Sequence, residues 1–141
     1  MKKRKWIFLI PVIIAVIFVL SNPRIKTDLF VRLYHQQIEE GLKLEAGVPA
    51  DDAVLFDYRS VNTWEGEHTM VEFLISASGF GSETSYYGCY YSPDDVPLAF
   101  QNYDTELIPT TNNSWEWFGE GDNWGETSKI MNGWYYFEAH F

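Results

Sequence analysis

Three hydrophobic rhythms follow one another along the chain. Trp6 to Leu20 is an apolar run without a charge. From Ile25 to about Ala46, the residues Ile25, Leu29, Leu33, with Phe30, Tyr34, Ile38 and Leu42, recur at helical spacing. Asn22 suits the cap of this second helix and Pro23 its first turn, while Gly47 and Pro49 stop it. After Asp52 the rhythm shortens to segments rich in Val, Phe, Tyr, Trp and Ile separated by turn residues. These predict strands near 53–61, 69–77, 85–92, 113–118, 127–131 and 134–140. Trp64-Glu65-Gly66-Glu67 suits a hairpin, Ser78 to Ser82 separates the second and third strands, and Asn132-Gly133 is the strongest hairpin signal. Asp94 to Asn113, with Pro97 and Pro109, reads as a long loop with a short strand at Glu106-Leu107-Ile108. A helix followed by consecutive strands predicts an α+β fold: an antiparallel meander of about six strands with the amphipathic helix on one face.

The first run carries topology. Lys2, Lys3, Arg4 and Lys5 precede it, and all 20 acidic residues follow it. Basic residues before an apolar segment stay cytoplasmic, so the rest of the chain is expected outside. Two fates compete for the run. Its 15 residues make a helix about 22 Å long, short for a hydrocarbon core of about 30 Å. Snorkelling by Lys5 and thinning of the bilayer cover the deficit, and Trp6 suits the interface. A cleaved signal peptide is the alternative, releasing the domain near Ser21. Val19-Leu20-Ser21 matches the small-residue cleavage pattern poorly, and the run leads directly into a helix, so a retained single-pass anchor is favoured. The expected division is a basic tip and anchor at 1–21, helix and linker at 22–52, and a β domain at 53–141 packed with the helix.

Charge then narrows the partners. Residues 22–141 hold Arg24, Lys26, Arg32, Lys43, Arg59 and Lys129 against 20 acids. Nucleic acid is excluded as a ligand class, because phosphate affinity comes from clustered bases. Anionic surfaces are repelled, and a cationic partner, Ca²⁺ or plain solubility remain. The 22 aromatic residues in the same 120 residues supply a core that an acidic disordered tail would lack. Cys89 is the one cysteine, so an internal disulfide is ruled out, and its strand-like setting predicts a small buried hydrophobe.

The stretch Tyr86-Tyr87-Gly88-Cys89-Tyr90-Tyr91-Ser92-Pro93-Asp94-Asp95-Val96-Pro97 resembles a "YYGFYYSPDDxP" pattern. Trp115-Glu116-Trp117, Gly119 to Asn123 and Ile130 to Tyr136 follow in the matching order. Together, over roughly 54–141 and in the style of N-terminus, the chain resembles a group of small membrane-anchored exported proteins of Gram-positive bacteria. That resemblance implies an extracytoplasmic setting and brings no activity with it. Cys89 stands where the pattern has Phe, which speaks for packing rather than thiol chemistry.

Candidate chemistry falls at two acidic loops and a group of rings. Asp94 and Asp95 follow Ser92-Pro93 and suit a turn in which Asp bonds nearby amides. Gly119 to Glu126, with Asp122 and Asn123, is a glycine-rich hairpin with oxygens for Ca²⁺, although it lacks the calcium-loop pattern. Trp115 and Trp117 lie on one side of a strand, with Trp124 nearby, and such rings beside Asp and Asn serve either as a core or as a glycan-stacking surface. Glu116 with Glu72, or Glu65 with Glu67, are the carboxylate pairs a glycosidase would use. His35, His68 and His140 lack metal-ligand spacing. The favoured expectation is a non-enzymatic, tethered, acidic binding module for a protein or glycan. Its alternatives are a small envelope hydrolase acting on glycan, and an inhibitor or immunity-type protein holding a basic partner.

Overall fold

A computed structural model describes residues 5–43 and 58–141. Two helices open the chain, α1 (Lys5–Ser21) and α2 (Pro23–Lys43). Asn22 alone separates them. Its side-chain Oδ1 accepts hydrogen bonds from Arg24 N at 3.0 Å and Ile25 N at 3.3 Å, capping α2. Seven strands follow: β1 (Ser60–Trp64), β2 (Met70–Phe80), β3 (Glu83–Tyr91), β4 (Ile108–Pro109), β5 (Ser114–Phe118), β6 (Trp124–Met131) and β7 (Trp134–His140). The fold is α+β, two N-terminal helices and then one antiparallel sheet. The predicted helix tail at 44–46 and strand start at 53–57 lie outside the described residues.

The sheet corrects the expected meander. Strand order is β1-β2-β3-β7-β6-β5-β4, every pair antiparallel. Two meanders, β1–β3 and β4–β7, are joined along β3 and β7, with Ser85 opposite His140 and Tyr91 opposite Trp134. The chain reaches β4 only by crossing the sheet from Ser92 to Leu107, with a 3-10 turn at Phe100–Asn102 on the way. A single meander would leave the aromatic β7 as an edge strand, whereas here it pairs on both sides. The crossing covers it, and Trp134, Tyr135, Tyr136 and Phe137 are all buried.

Strand alternation divides the core in two. On one face Phe30, Val31 and Ile38 of α2 meet Val71, Phe73, Ile75, Cys89 and Trp134. Trp134 Nε1 donates to Glu39 Oε1 at 2.9 Å, which fixes the helix along β7. On the other face Met70, Tyr90, Trp117, Tyr135, Phe137 and Ala139 pack under Ala99 and Phe100 of the crossing. Tyr90 and Tyr135 stack at 5.1 Å across the β3–β7 seam. The buried Tyr90 hydroxyl accepts from Leu98 N at 2.8 Å and bonds Thr127 Oγ1 at 2.7 Å, tying the crossing to β6. Burial drives that phenol well above its ordinary pKa, so it stays protonated.

Asp95 closes the end of the seam. Its Oδ1 accepts from Gly133 N at 2.7 Å and Tyr135 Oη at 3.1 Å, and its Oδ2 accepts from Lys129 Nζ at 2.6 Å. These bonds, that to Lys129 first, lower its pKa. The Asn132-Gly133 turn that it clasps puts Gly133 at φ 74°, a conformation that favours glycine.

Gly88 sets the closeness of the seam. A Cβ there would sit 2.1 Å from the backbone oxygen of Phe73 and 2.9 Å from the Phe137 ring. Gly88→Ala is expected to cost about 3 kcal/mol, at the upper end for overpacking. Urea unfolding checks this, and a midpoint unchanged from the parent chain would refute it.

Candidate functional site

The crossing builds one wall of a groove on the face away from α2. Phe100 stacks on Tyr86 at 5.4 Å and leans on Phe137 at 5.2 Å. Gln101 and Asn102 follow with φ 54° each, a left-handed conformation costly for residues with a Cβ. Two bonds hold them there. Gln101 N donates to Glu72 Oε2 at 2.9 Å, and Asn102 Nδ2 donates to His68 O at 2.9 Å. Tyr103 then turns outward and is 53% exposed.

The other wall is the β5–β6 hairpin. Trp117 points onto this face and is buried beneath it. Gly125 on β6 makes room for the indole, since a Cβ there would lie 2.4 Å from the Trp117 ring. Gly119 N donates to Asn123 O at 2.8 Å and closes the turn, with Gly121 at φ 69°. Phe141 completes the floor, pinned by paired backbone bonds to Thr84 at 2.9 and 3.0 Å.

Between the walls lies a cleft of about 210 Å³ lined by Phe100, Gln101, Tyr103, Trp117, Glu120 and Phe141, with Gly119 and Asn123. It does not stand alone. Tyr103 is shared with a depression of about 340 Å³ that carries Glu67, His68 and Asp104. Asn123 and Phe141 are shared with another of about 640 Å³ that carries Glu83, Asp122 and His140. The cleft thus has acidic residues beyond both ends, and the depression with Asp122 turns over the end of the sheet, where His140 faces the α2 side. Among the described residues no lysine or arginine lines the cleft or either depression.

The sequence candidates are divided among several places. Trp117, Asp122 and Asn123 reach the groove. Trp115 packs partly buried against Tyr135 at 6.3 Å. Trp124 projects from the opposite face, stacked on His140 at 4.3 Å. Asp94 pairs with His68 at 2.9 Å, and Asp95 is the seam clasp. Glu72 and Glu116 occupy opposite faces of the sheet, because Tyr90 opposite Glu72 and Trp117 beside Glu116 share the groove side. They therefore do not form the facing carboxylate pair considered for a glycosidase. Glu65 and Glu67 are both exposed in the β1–β2 turn. No group of three or more His, Cys, Asp or Glu side chains suited to a metal ion occurs among the described residues.

Glu120 of the acidic hairpin reaches the cleft, whereas Phe100, Gln101, Tyr103 and Phe141 were not among the sequence candidates. The available signal was the length of the Asp94 to Asn113 connection, since long structureless loops in compact domains are commonly functional. A second cluster was also missed. Glu116, Glu126 and Glu138 lie directly opposite one another on β5, β6 and β7. Burial, then the Glu138 charge, raises the Glu126 pKa, and Arg24 at 3.9 Å opposes the shift. Comparison with known proteins found no matching family model, no matching curated protein and no matching solved structure.

Glu72 sits beneath the strained wall, 2% exposed. Burial pushes its carboxyl up to about 7, against the Gln101 bond and Trp64, which favour the charged form. The folded chain therefore holds this proton more tightly than the unfolded chain. Stability contributed here falls as pH rises from the ordinary value of 4.5 to about 7. Glu72→Gln keeps an oxygen for Gln101 N and removes the penalty. The variant is expected to gain up to about 3 kcal/mol over the parent at pH 8 and little at pH 4. Urea unfolding at both pH values checks it, and a difference independent of pH contradicts it.

Proposed function

We propose that the chain is a non-enzymatic binding module, tethered through its N-terminal apolar segment, that holds a basic segment of a protein partner. The aromatic cleft with acidic residues beyond both of its ends carries this reading. Its aromatic centre, about 210 Å³, is below the roughly 300–1,000 Å³ of sites for whole small molecules. It suits one inserted side chain. The flanking Glu67 and Asp104 on one side, and Glu83 and Asp122 on the other, suit Lys or Arg on either side of that side chain. Residues 58–141 carry 13 acids against Arg59 and Lys129, so a basic partner is also drawn in from a distance.

A glycan remains the second ligand class, favoured by the flat rings of Tyr103, Trp117 and Phe141 beside Asn123. Charge separates the two. A peptide with one Leu flanked on each side by lysines is expected to bind the chain with an affinity that falls as salt rises. The double variant Glu83→Lys, Asp104→Lys is expected to weaken it about tenfold, or about 1.4 kcal/mol. Isothermal titration reads both. Equal affinity in parent and variant would count against the reading, and saturable binding of a neutral oligosaccharide in place of the peptide would favour the glycan.

A further inference from the structure

Helix α2 has two apolar stripes, and the sheet uses one. Thr27, Phe30, Val31 and Ile38 are buried on the sheet side. At about 100° per residue, Ile25, Leu29 and Leu33 fall on the opposite side of the helix. Ile25 and Leu29 are half-buried and Leu33 is 54% exposed. Lys26 and Arg32 border this stripe, Arg32 held by Asp28 at 2.6 Å. Helix α2 carries Arg24, Lys26, Arg32 and Lys43 against Asp28, Glu39 and Glu40, with Arg24 turned to the sheet over Tyr136.

The stripe begins where α1 ends. Among the described residues no single helix is long and apolar enough to cross a membrane. Leu9–Ser21 and Pro23–Lys43 meet that test only as a pair bent by 82°. The bend is braced. Asn22 caps α2, and Arg24 lies over the Tyr136 ring at 4.0 Å with Glu126 at 3.9 Å. If α1 enters a bilayer along its normal, a bend of that size lays α2 along the surface.

We propose that the outer stripe Ile25–Leu29–Leu33 seats in the headgroup layer of a phospholipid bilayer, so that α2 is an interfacial helix with the sheet on its back. This rests on the tethered part of the proposed function. Apolar stripe and flanking cations are the two terms that hold a helix in that layer. The arrangement also keeps the acidic sheet away from the lipid, because α2 lies between them. Continuity with the apolar α1 commits the stripe to lipid rather than to another protein.

The test uses the full chain in vesicles of phosphatidylcholine with phosphatidylglycerol. Single cysteines at Leu33→Cys, Val16→Cys and, on the groove face away from α2, Tyr103→Cys carry an environment-sensitive fluorophore. Cys89 is fully buried, and the unsubstituted chain serves as its labelling control. Brominated lipid is expected to remove most of the emission at positions 16 and 33 and none at 103. Quenching at 16 but not at 33 overturns the interfacial helix and leaves the anchor. Quenching at neither overturns both. A blue shift at 33 that follows protein concentration without lipid assigns the stripe to a second copy and also overturns the proposal.

Discussion

Everything in the domain hangs on the pairing of β3 with β7. The two strands are joined by more than forty residues of chain, and they hold two otherwise separate meanders in one sheet. Closing so long a loop is entropically unfavourable, though the cost grows only slowly with length. Burial on both faces offsets it. Cys89 and Trp134 face α2, Tyr90 and Tyr135 stack beneath the crossing, and Gly88 lets Phe137 approach the backbone of β2. Cys89 thereby serves as packing. It is buried, and burial followed by the Glu72 charge raises its thiol pKa well beyond the ordinary range.

The groove is a consequence of that pairing. With β7 beside β3, the chain must leave Tyr91, cross the aromatic face and return at the far edge to start β4. The crossing brings Phe100 and Tyr103 over Trp117 on β5 and Phe141 at the end of the central β7. Gln101 and Asn102 take left-handed backbone to do so, and a buried carboxylate is spent holding Gln101. Strained backbone, a desolvated acid and an open aromatic cleft therefore share one place. That coincidence, more than any motif, is the basis of the proposed binding face.

Local rules were readable in the sequence and long-range ones were not. The apolar runs, the Asn22-Pro23 start of α2 and the Asn132-Gly133 turn each depend on neighbours within a few residues, and the structure has them where periodicity and turn chemistry place them. The β3–β7 pairing has no such signature, so a simple meander was the natural expectation. The site followed the same division. Trp117, Asp122 and Asn123 were visible because they sit close together in a glycine-rich hairpin. Phe100, Tyr103 and Phe141 join them only through the crossing. Asp94 and Asp95 stood out as acids in a loop and prove to be bound to His68, Lys129 and Gly133.

The two meanders stand or fall together, since neither buries its aromatic face alone. Native-state hydrogen exchange measures that directly. The slowest amides of β3, at Gly88 to Tyr90, and of β7, at Tyr135 to Phe137, are expected to open with one common free energy equal to that of global unfolding. If β1–β3 kept its protection under denaturant that had already opened β4–β7, the seam would not be the constraint on which the fold and its groove depend.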